Sequence, residues 1–230
     1  MSIWKKIEKT IMSLASGEPF SNIFQKFATP PERKIGFTIA VIALSAKMAK
    51  ADGIVSKEEV NAFSQIFEIP KGQEKHVSNV YNLARQDIAG YEIYAKKIAK
   101  MLKNKKILLE NIIEGLLFIS IADGAYHPKE DKFVNNVASI FSIKRGRLEY
   151  LKNMYIDTSA NSYYKILNVS PGDNLEQIRK QWKKLVLAHH PDMVLARGLP
   201  EEAIRLTTVK LARINEAWEN IKAIRETSVS

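Results

Sequence analysis

The strongest constraint on the fold is a tripeptide that occurs twice. Ala51-Asp52-Gly53 recurs as Ala122-Asp123-Gly124, each time after an apolar stretch and before an acidic one. Downstream, Ile66-Phe67-Glu68-Ile69 recurs as Ile140-Phe141-Ser142-Ile143. Such a pairing implies two helical hairpins related by duplication. Gly53 and Gly124 suit the left-handed residue that ends a helix. Ser56 and Glu59 have the spacing of a capping box for the helix that follows. In the second copy His127 takes the cap position, Pro128 the first helical position, and Glu130 lies two residues further on. Glu58, Glu59, Glu130 and Asp131 favour the positive end of a helix dipole.

The stretches between these turns carry apolar residues at helical spacing, and strand-like alternation is absent. The pattern predicts helices over 33–51, 57–67, 73–88, 91–102, 107–122, 128–141 and 145–154. Short helices joined by tight turns favour a compact all-α bundle. Thr29-Pro30-Pro31 breaks the pattern before the bundle, and Asp157-Thr-Ser-Ala-Asn161 breaks it after. The expected organisation is an N-terminal segment (1–31), a seven-helix domain (32–156) and a C-terminal module (157–230). In the first segment Ile3, Trp4, Ile7, Ile11 and Leu14 form an apolar stripe opposite Lys5, Lys6 and Lys9. Such a helix either lies on a membrane surface or docks on the body of the protein.

Composition excludes several classes. With no cysteine among 230 residues there is no disulfide, thiolate metal site or zinc ribbon, which suits a reducing cytoplasm. Hydrophobic content of 46% with 26% charged residues is ordinary for a packed globular chain. The apolar run 35–44 is too short to cross a bilayer, which needs roughly 20 residues, and no secretory signal is evident at the start. The net charge of +10 is spread out, with 11 Lys+Arg against 8 Asp+Glu from Asn161 onward. The densest run, Lys96 to Lys106, holds six lysines interleaved with Ile98, Ala99, Met101 and Leu102. It reads as a solvated helix face, or as a surface attracted to acidic lipid, nucleic acid or protein.

The C-terminal module has its own logic. Ser162 to Val169 reads as a short first helix capped by Asn161 or Ser162, and Ser170-Pro171-Gly172-Asp173 as a turn. Asp173 and Glu176 have the spacing of a capping box for a second helix. On that helix Ile178, Trp182, Leu185 and His189 form an apolar stripe, with Arg179, Lys180, Lys183 and Lys184 largely off it. Four basic residues in six positions make an electrostatic docking face. Pro191 disfavours helical geometry at His190, so the helix stops there. A loop through Gly198 is expected to reverse the chain. Pro200, Glu201 and Glu202 then start a third helix whose core positions are Ile204, Leu211, Ile214, Ala217, Trp218 and Ile221. The product is an antiparallel hairpin with His190-Pro191-Asp192 at its tip.

Two family resemblances follow from these residues. Residues 33–155, with their paired Ala-Asp-Gly turns, resemble the TerB-like domain, an all-helical module associated with tellurite resistance and stress proteins. Members of that family have been linked to metal ions. Carried over, the oxygen donors would be Asp52, Glu59, Asp123 and Glu130, although capping accounts for the same residues, and a hard cation needs about six converging oxygens. Residues 161–224 resemble the J domain of DnaJ-type co-chaperones. Tyr163-Tyr164, Ile166-Leu167, Ile178, Trp182, Leu185, His190-Pro191-Asp192, Ile214-Asn215 and Ala217-Trp218 all stand at that family's spacing. The extended loop Val194 to Pro200 resembles the DjlA type, which also joins a TerB-like domain to a C-terminal J domain. Asn168 departs from a common glycine, and Met193 from a usual Lys or Arg. No Gly/Phe-rich linker or cysteine-rich domain is present. The membrane anchor of those relatives is also lacking, so a membrane location is not inherited.

The resemblance implies a fold that is all-α, a seven-helix TerB-like bundle followed by a J-domain hairpin. It implies a co-chaperone that docks Arg179, Lys180, Lys183 and Lys184 on an acidic face of a DnaK-type chaperone and places His190, Pro191 and Asp192 near its interdomain linker. ATP hydrolysis in the partner would be stimulated; no ATP or other cofactor is expected here. Enzyme chemistry is not expected, since no nucleophile motif and no metal-ligand spacing accompany His190 and Asp192. The competing class is an interaction or sensor protein whose TerB-like part binds membrane, metal or another protein. Nucleic acid is not the expected partner, self-association through the TerB-like part is a further option, and the client is not readable. The expected location is the cytoplasm, with peripheral contact at the inner face of the membrane as the alternative.

Overall fold

Near-continuous apolar residues over 35–49 demand a helix buried on all sides, because a one-sided stripe would leave half of them in water. The computed structural model describes residues 7, 9–10, 18–27, 33–52, 57–66, 74–87, 89–156, 159–196 and 201–227. After a 3₁₀ turn (Phe20–Asn22) and α1 (Ile23–Lys26), the apolar run forms α2 (Arg33–Asp52). Around it stand α3 (Lys57–Ile66), α4 (Glu74–Gln86), α5 (Tyr91–Met101), α6 (Lys106–Ser120) and α7 (Pro128–Ile140). Helix α2 packs against α4, α5, α6 and α7, and Phe37, Ile39, Val41, Ile42 and Leu44 are fully buried. All the described regular elements are helical, as the periodicity predicts.

The chain divides into two compact units, Met1–Lys144 and Arg145–Ser230. All seven helices expected over 33–154 are present. The seventh, α8 (Arg145–Tyr155), clusters with the C-terminal unit, where it packs on α9 (Ala160–Leu167). Polar contacts tie its end to that unit as well. Arg213 donates from Nε to the carbonyl of Met154 and from Nη2 to that of Tyr155, each at 3.0 Å. These are helix-end carbonyls that have no partner within the helix. The second unit continues with α10 (Leu175–Ala188), α11 (Pro191–Ala196) and α12 (Glu201–Thr227).

The turns behave as backbone chemistry requires. Gly124 adopts φ +87°, the left-handed conformation expected of it. His127 donates its amide to Glu130 Oε2 at 2.8 Å, closing the start of α7. The second Ile-Phe-x-Ile motif is the other end of that helix: Ser142 is left-handed and the Ile143 amide reaches back to the Ala138 carbonyl at 3.0 Å. Gly53, Ser56 and the first Ile-Phe-x-Ile turn beyond Ile66 lie outside the described residues.

Of the N-terminal stripe, Ile7 is buried, while Ile3, Trp4, Ile11 and Leu14 lie outside the described residues. Phe20, Ile23, Phe24 and Phe27 are buried within the first unit, so this part of the segment docks on the bundle. Asp87 holds it there. Its carboxylate accepts from the Ser21 amide at 3.2 Å, the Tyr94 hydroxyl at 2.6 Å and the Ala89 amide at 3.1 Å. Buried Lys47 donates to the Asp87 carbonyl at 2.8 Å and lies over the Tyr94 ring. Burial pushes the Asp87 carboxyl up, but these hydrogen bonds and the Lys47 charge outweigh it and hold the group below its usual range. Burial and the Asp87 hydrogen bond push Tyr94 far above the ordinary phenol range.

Candidate functional site at the tip of a helical hairpin

Helix α9 sets up the site by ending abruptly. Asn168 is left-handed, with φ 54° and ψ 51°, and the Val169 amide bonds back to the Tyr164 carbonyl at 3.0 Å. This conformation explains why glycine is common at that position in J domains, and why asparagine substitutes for it. Helix α9 begins at Ala160 with Ser159 as its cap, earlier than the expected Asn161 or Ser162. Ser162 is instead buried inside the helix.

The cap of α10 is also one residue from its expected place. Asn174 Oδ1 accepts from the Gln177 amide at 2.8 Å, and Gln177 Oε1 accepts from the Asn174 amide at 3.1 Å. Asp173 serves the preceding turn, accepting from the Ser170 amide at 2.9 Å. Arg225, in the last turns of α12, donates to the carbonyls of Pro171 and Asp173 and lies over the Tyr164 ring. Its role was invisible in the sequence because it joins residues more than fifty positions apart.

Helix α10 presents two faces. On one, Ile178 is fully buried and Trp182 stacks on Trp218 with centroids 5.2 Å apart. Trp182 Nε1 donates to Asn215 Oδ1 at 2.9 Å. Leu185 and His189 complete this face half-buried. On the other, Arg179, Lys180, Lys183 and Lys184 are all exposed. None of the four meets a carboxylate among the described residues. A hollow of about 600 Å³ lies where the faces meet, lined by Leu175, Arg179, Trp182, Trp218 and Lys222 among others.

The partner helix α12 buries Ala203, Leu206, Thr207, Lys210, Ile214, Ala217, Trp218 and Ile221. The expected core positions Ile204 and Leu211 are only half-buried. The buried set keeps helical spacing but runs one position away from them in the first turns, with Thr207 Oγ1 satisfied by the Ala203 carbonyl at 2.8 Å.

At the tip, α10 ends at Ala188, as Pro191 requires. The first part of the expected loop is instead the short helix α11, with Pro191 as its first residue, while Gly198 and Pro200 lie outside the described residues. Proline is suited to that position, since its missing N–H would have no partner there. His190 sits just before it. Its Nδ1 accepts from the Asp192 amide at 3.3 Å, and its carbonyl accepts from the Met193 amide at 3.0 Å. Nδ1 also stands 3.5 Å from Asp192 Oδ2, so the two side chains meet despite the intervening proline. Both side chains remain open to solvent, at 48% and 84% exposure. The tripeptide is thus a helix start that leaves the His190 and Asp192 side chains open to solvent, just beyond the end of the helix that carries the four exposed cations.

The four candidate metal donors behave differently. Asp123 Oδ1 accepts from the Ala125 amide at 2.9 Å, and Glu130 is buried in its cap. The side chains of Asp52 and Glu59 lie outside the described residues. Among the described residues no three His, Asp or Glu groups gather as a metal site. Among the same residues no helix is long and apolar enough to cross a membrane.

Comparison with known proteins agrees with this geometry. The family model for tellurite resistance protein TerB matches residues 38–153, and that for the DnaJ domain matches residues 162–226. Curated relatives named co-chaperone protein DjlA align over most of the chain. The protein from Photobacterium profundum is 21% identical, covering 94% of this chain and 88% of its own length. That from Escherichia coli K12 is 22% identical, covering 96% and 98%. That from Legionella pneumophila is 24% identical, covering 80% and 75%. No solved structure matches significantly. Fold, tip and matches together define a J-domain protein with a TerB domain ahead of the J domain. The chain belongs to the DjlA-type family of DnaJ-like co-chaperones.

Proposed function

We propose that this chain binds a DnaK-type chaperone through α10 and the His190-Pro191-Asp192 tip and stimulates ATP hydrolysis by that partner. The single observation that carries the reading is the tip itself. Its backbone is tied down by the His190 cap, while the His190 and Asp192 side chains stay exposed. Arg179, Lys180, Lys183 and Lys184 supply a cationic face with no internal counter-ion among the described residues. Such a face steers a transient encounter with an acidic surface more than it tightens the final complex. The rigid tip then makes the contact that matters for hydrolysis, and the TerB domain supplies targeting or client selection. Like the J-domain family it belongs to, the chain acts on its partner's ATPase and supplies no catalytic group of its own.

The test is steady-state ATP hydrolysis by a DnaK-type chaperone with wild type and His190→Gln. Wild type is expected to raise the rate several-fold and the variant to leave it near basal. Equal stimulation by both, or none by wild type, rejects the reading.

A further inference from the structure

The turn between α5 and α6, in the first unit, concentrates charge that no carboxylate neutralises among the described residues. Lys100, Lys103, Lys105 and Lys106 are exposed, and Lys96 is exposed one turn earlier. No Asp or Glu occurs between Glu92 and Glu110. None of these five lysines meets a carboxylate among the described residues. Lys97 differs, because it donates inward to Ser21 Oγ and Asn22 Oδ1.

The turn is held in shape from beneath. Met101 and Leu102 are buried at 4% and 0% exposure. The Leu102 amide bonds to the Ile98 carbonyl at 2.9 Å, Lys105 to Leu102 at 2.8 Å and Leu108 to Lys105 at 2.9 Å. Asn104 turns the corner with φ 68°. Two large apolar side chains accompany the lysines on the outside, Ile93 at 45% and Ile107 at 47% exposure. Ile93 precedes Lys96 by three residues and Lys100 by seven, so the three share a helix face.

We propose that this turn docks on the surface of a bilayer rich in anionic phospholipid. A tightly wound corner of point charges matches a flat sheet of phosphate headgroups, and each lysine near such a surface strengthens binding about 5-fold. The exposed isoleucines decide between lipid and nucleic acid. They gain from the headgroup–acyl boundary but find nothing apolar on a phosphate backbone. The segment 93–109 has no arginine, and its one aromatic ring, Tyr94, is buried, so nothing there can fork or stack on a base. The proposal concerns the first unit alone and is independent of the J-domain reading.

The experiment is co-sedimentation of the full chain with phosphatidylglycerol–phosphatidylcholine vesicles, with phosphatidylcholine vesicles and duplex DNA as the other arms. Wild type is expected to pellet with anionic vesicles only, and to be released by salt. The variant Lys100→Gln/Lys103→Gln/Lys105→Gln/Lys106→Gln is expected to bind at least about 100-fold more weakly. An equal charge loss at exposed Lys75, Lys129, Lys144 and Lys222 is expected to change binding by less than about 5-fold. Ile107→Ser is expected to weaken vesicle binding, and circular dichroism on each variant checks that the fold is kept. The proposal is overturned if wild type stays in solution with anionic vesicles, if both charge variants lose equally, or if DNA is bound more tightly than vesicles through the same lysines.

Discussion

Trp182 lies nearly flat on Trp218, their planes 13° apart, so the two long helices of the J domain are joined ring to ring. The Trp182 indole N–H is carried off sideways to Asn215, which leaves both faces free for packing. An aromatic pair of this kind adds about 0.5–1.5 kcal/mol beyond the area it buries. Trp218 is only 7% exposed, so its removal leaves a void.

Trp218→Ala should therefore destabilise the C-terminal unit by about 3–5 kcal/mol. Urea unfolding followed by near-ultraviolet circular dichroism measures it, and a loss below about 1 kcal/mol would show that the stack is not a structural joint.

The cationic face of α10 should affect partner binding without affecting the fold. Arg179→Gln with Lys180→Gln, Lys183→Gln and Lys184→Gln is expected to slow association with a DnaK-type chaperone about 10-fold or more at low salt. The difference from wild type should shrink as ionic strength rises, because exposed charges are screened. Surface plasmon resonance over a salt series reads both effects. A defect insensitive to salt would mean that the residues act through packing.

Gly36 marks a close approach within the first unit. A Cβ there would stand 2.5 Å from Met101 Sδ and 2.8 Å from Phe27 Cβ. The methionine can swing aside, but the Phe27 Cβ moves only with its backbone. Overpacking of this kind costs about 1–3 kcal/mol, against roughly 1 kcal/mol gained in helix propensity. Gly36→Ala is expected to lower the stability of the first unit by about 1 kcal/mol on balance. A rise in its melting temperature would refute the close approach.

Asp87 gives the stability a defined pH dependence. Its carboxyl is held below the ordinary value of 3.8 in the folded state. The stabilisation is therefore fully present above that value and is lost as pH falls through the lower folded one. Asp87→Asn should cost about 1–2 kcal/mol at neutral pH, after allowance for partial exposure. It should also flatten the acid limb of the stability curve below about pH 4 relative to wild type. Parallel curves for the two proteins below that pH would remove Asp87 from the account.

Much of this architecture was legible in the residues because it depends on near neighbours. The seven helices over 33–154, the Gly124 turn, the cap at His127 and the stop before Pro191 are all set within a few positions. Capping, left-handed turns and proline geometry act over that range. Where several local caps were available the choice slipped, as at Ser159 and Asn174, because neighbouring polar residues offer nearly equal bonds. The row Arg179, Lys180, Lys183 and Lys184 was readable too, since helical spacing alone separates it from Ile178 and Trp182.

What the tertiary structure decided are the pairings between distant positions. Arg213 draws α8 into the C-terminal unit, although no local signal separates that helix from those before it. Arg225 closes a turn more than fifty residues away. Asp87 gathers Ser21 and Tyr94 around one carboxylate. Whether His190 and Asp192 would meet depended on Pro191 starting a helix, an outcome that α12 supports from the other side by packing on α11. The sequence by itself determined the helices and a basic, proline-marked tip. Only the fold decided which distant side chains close the helix ends and turns around it, because those contacts follow from burial and helix packing between distant segments.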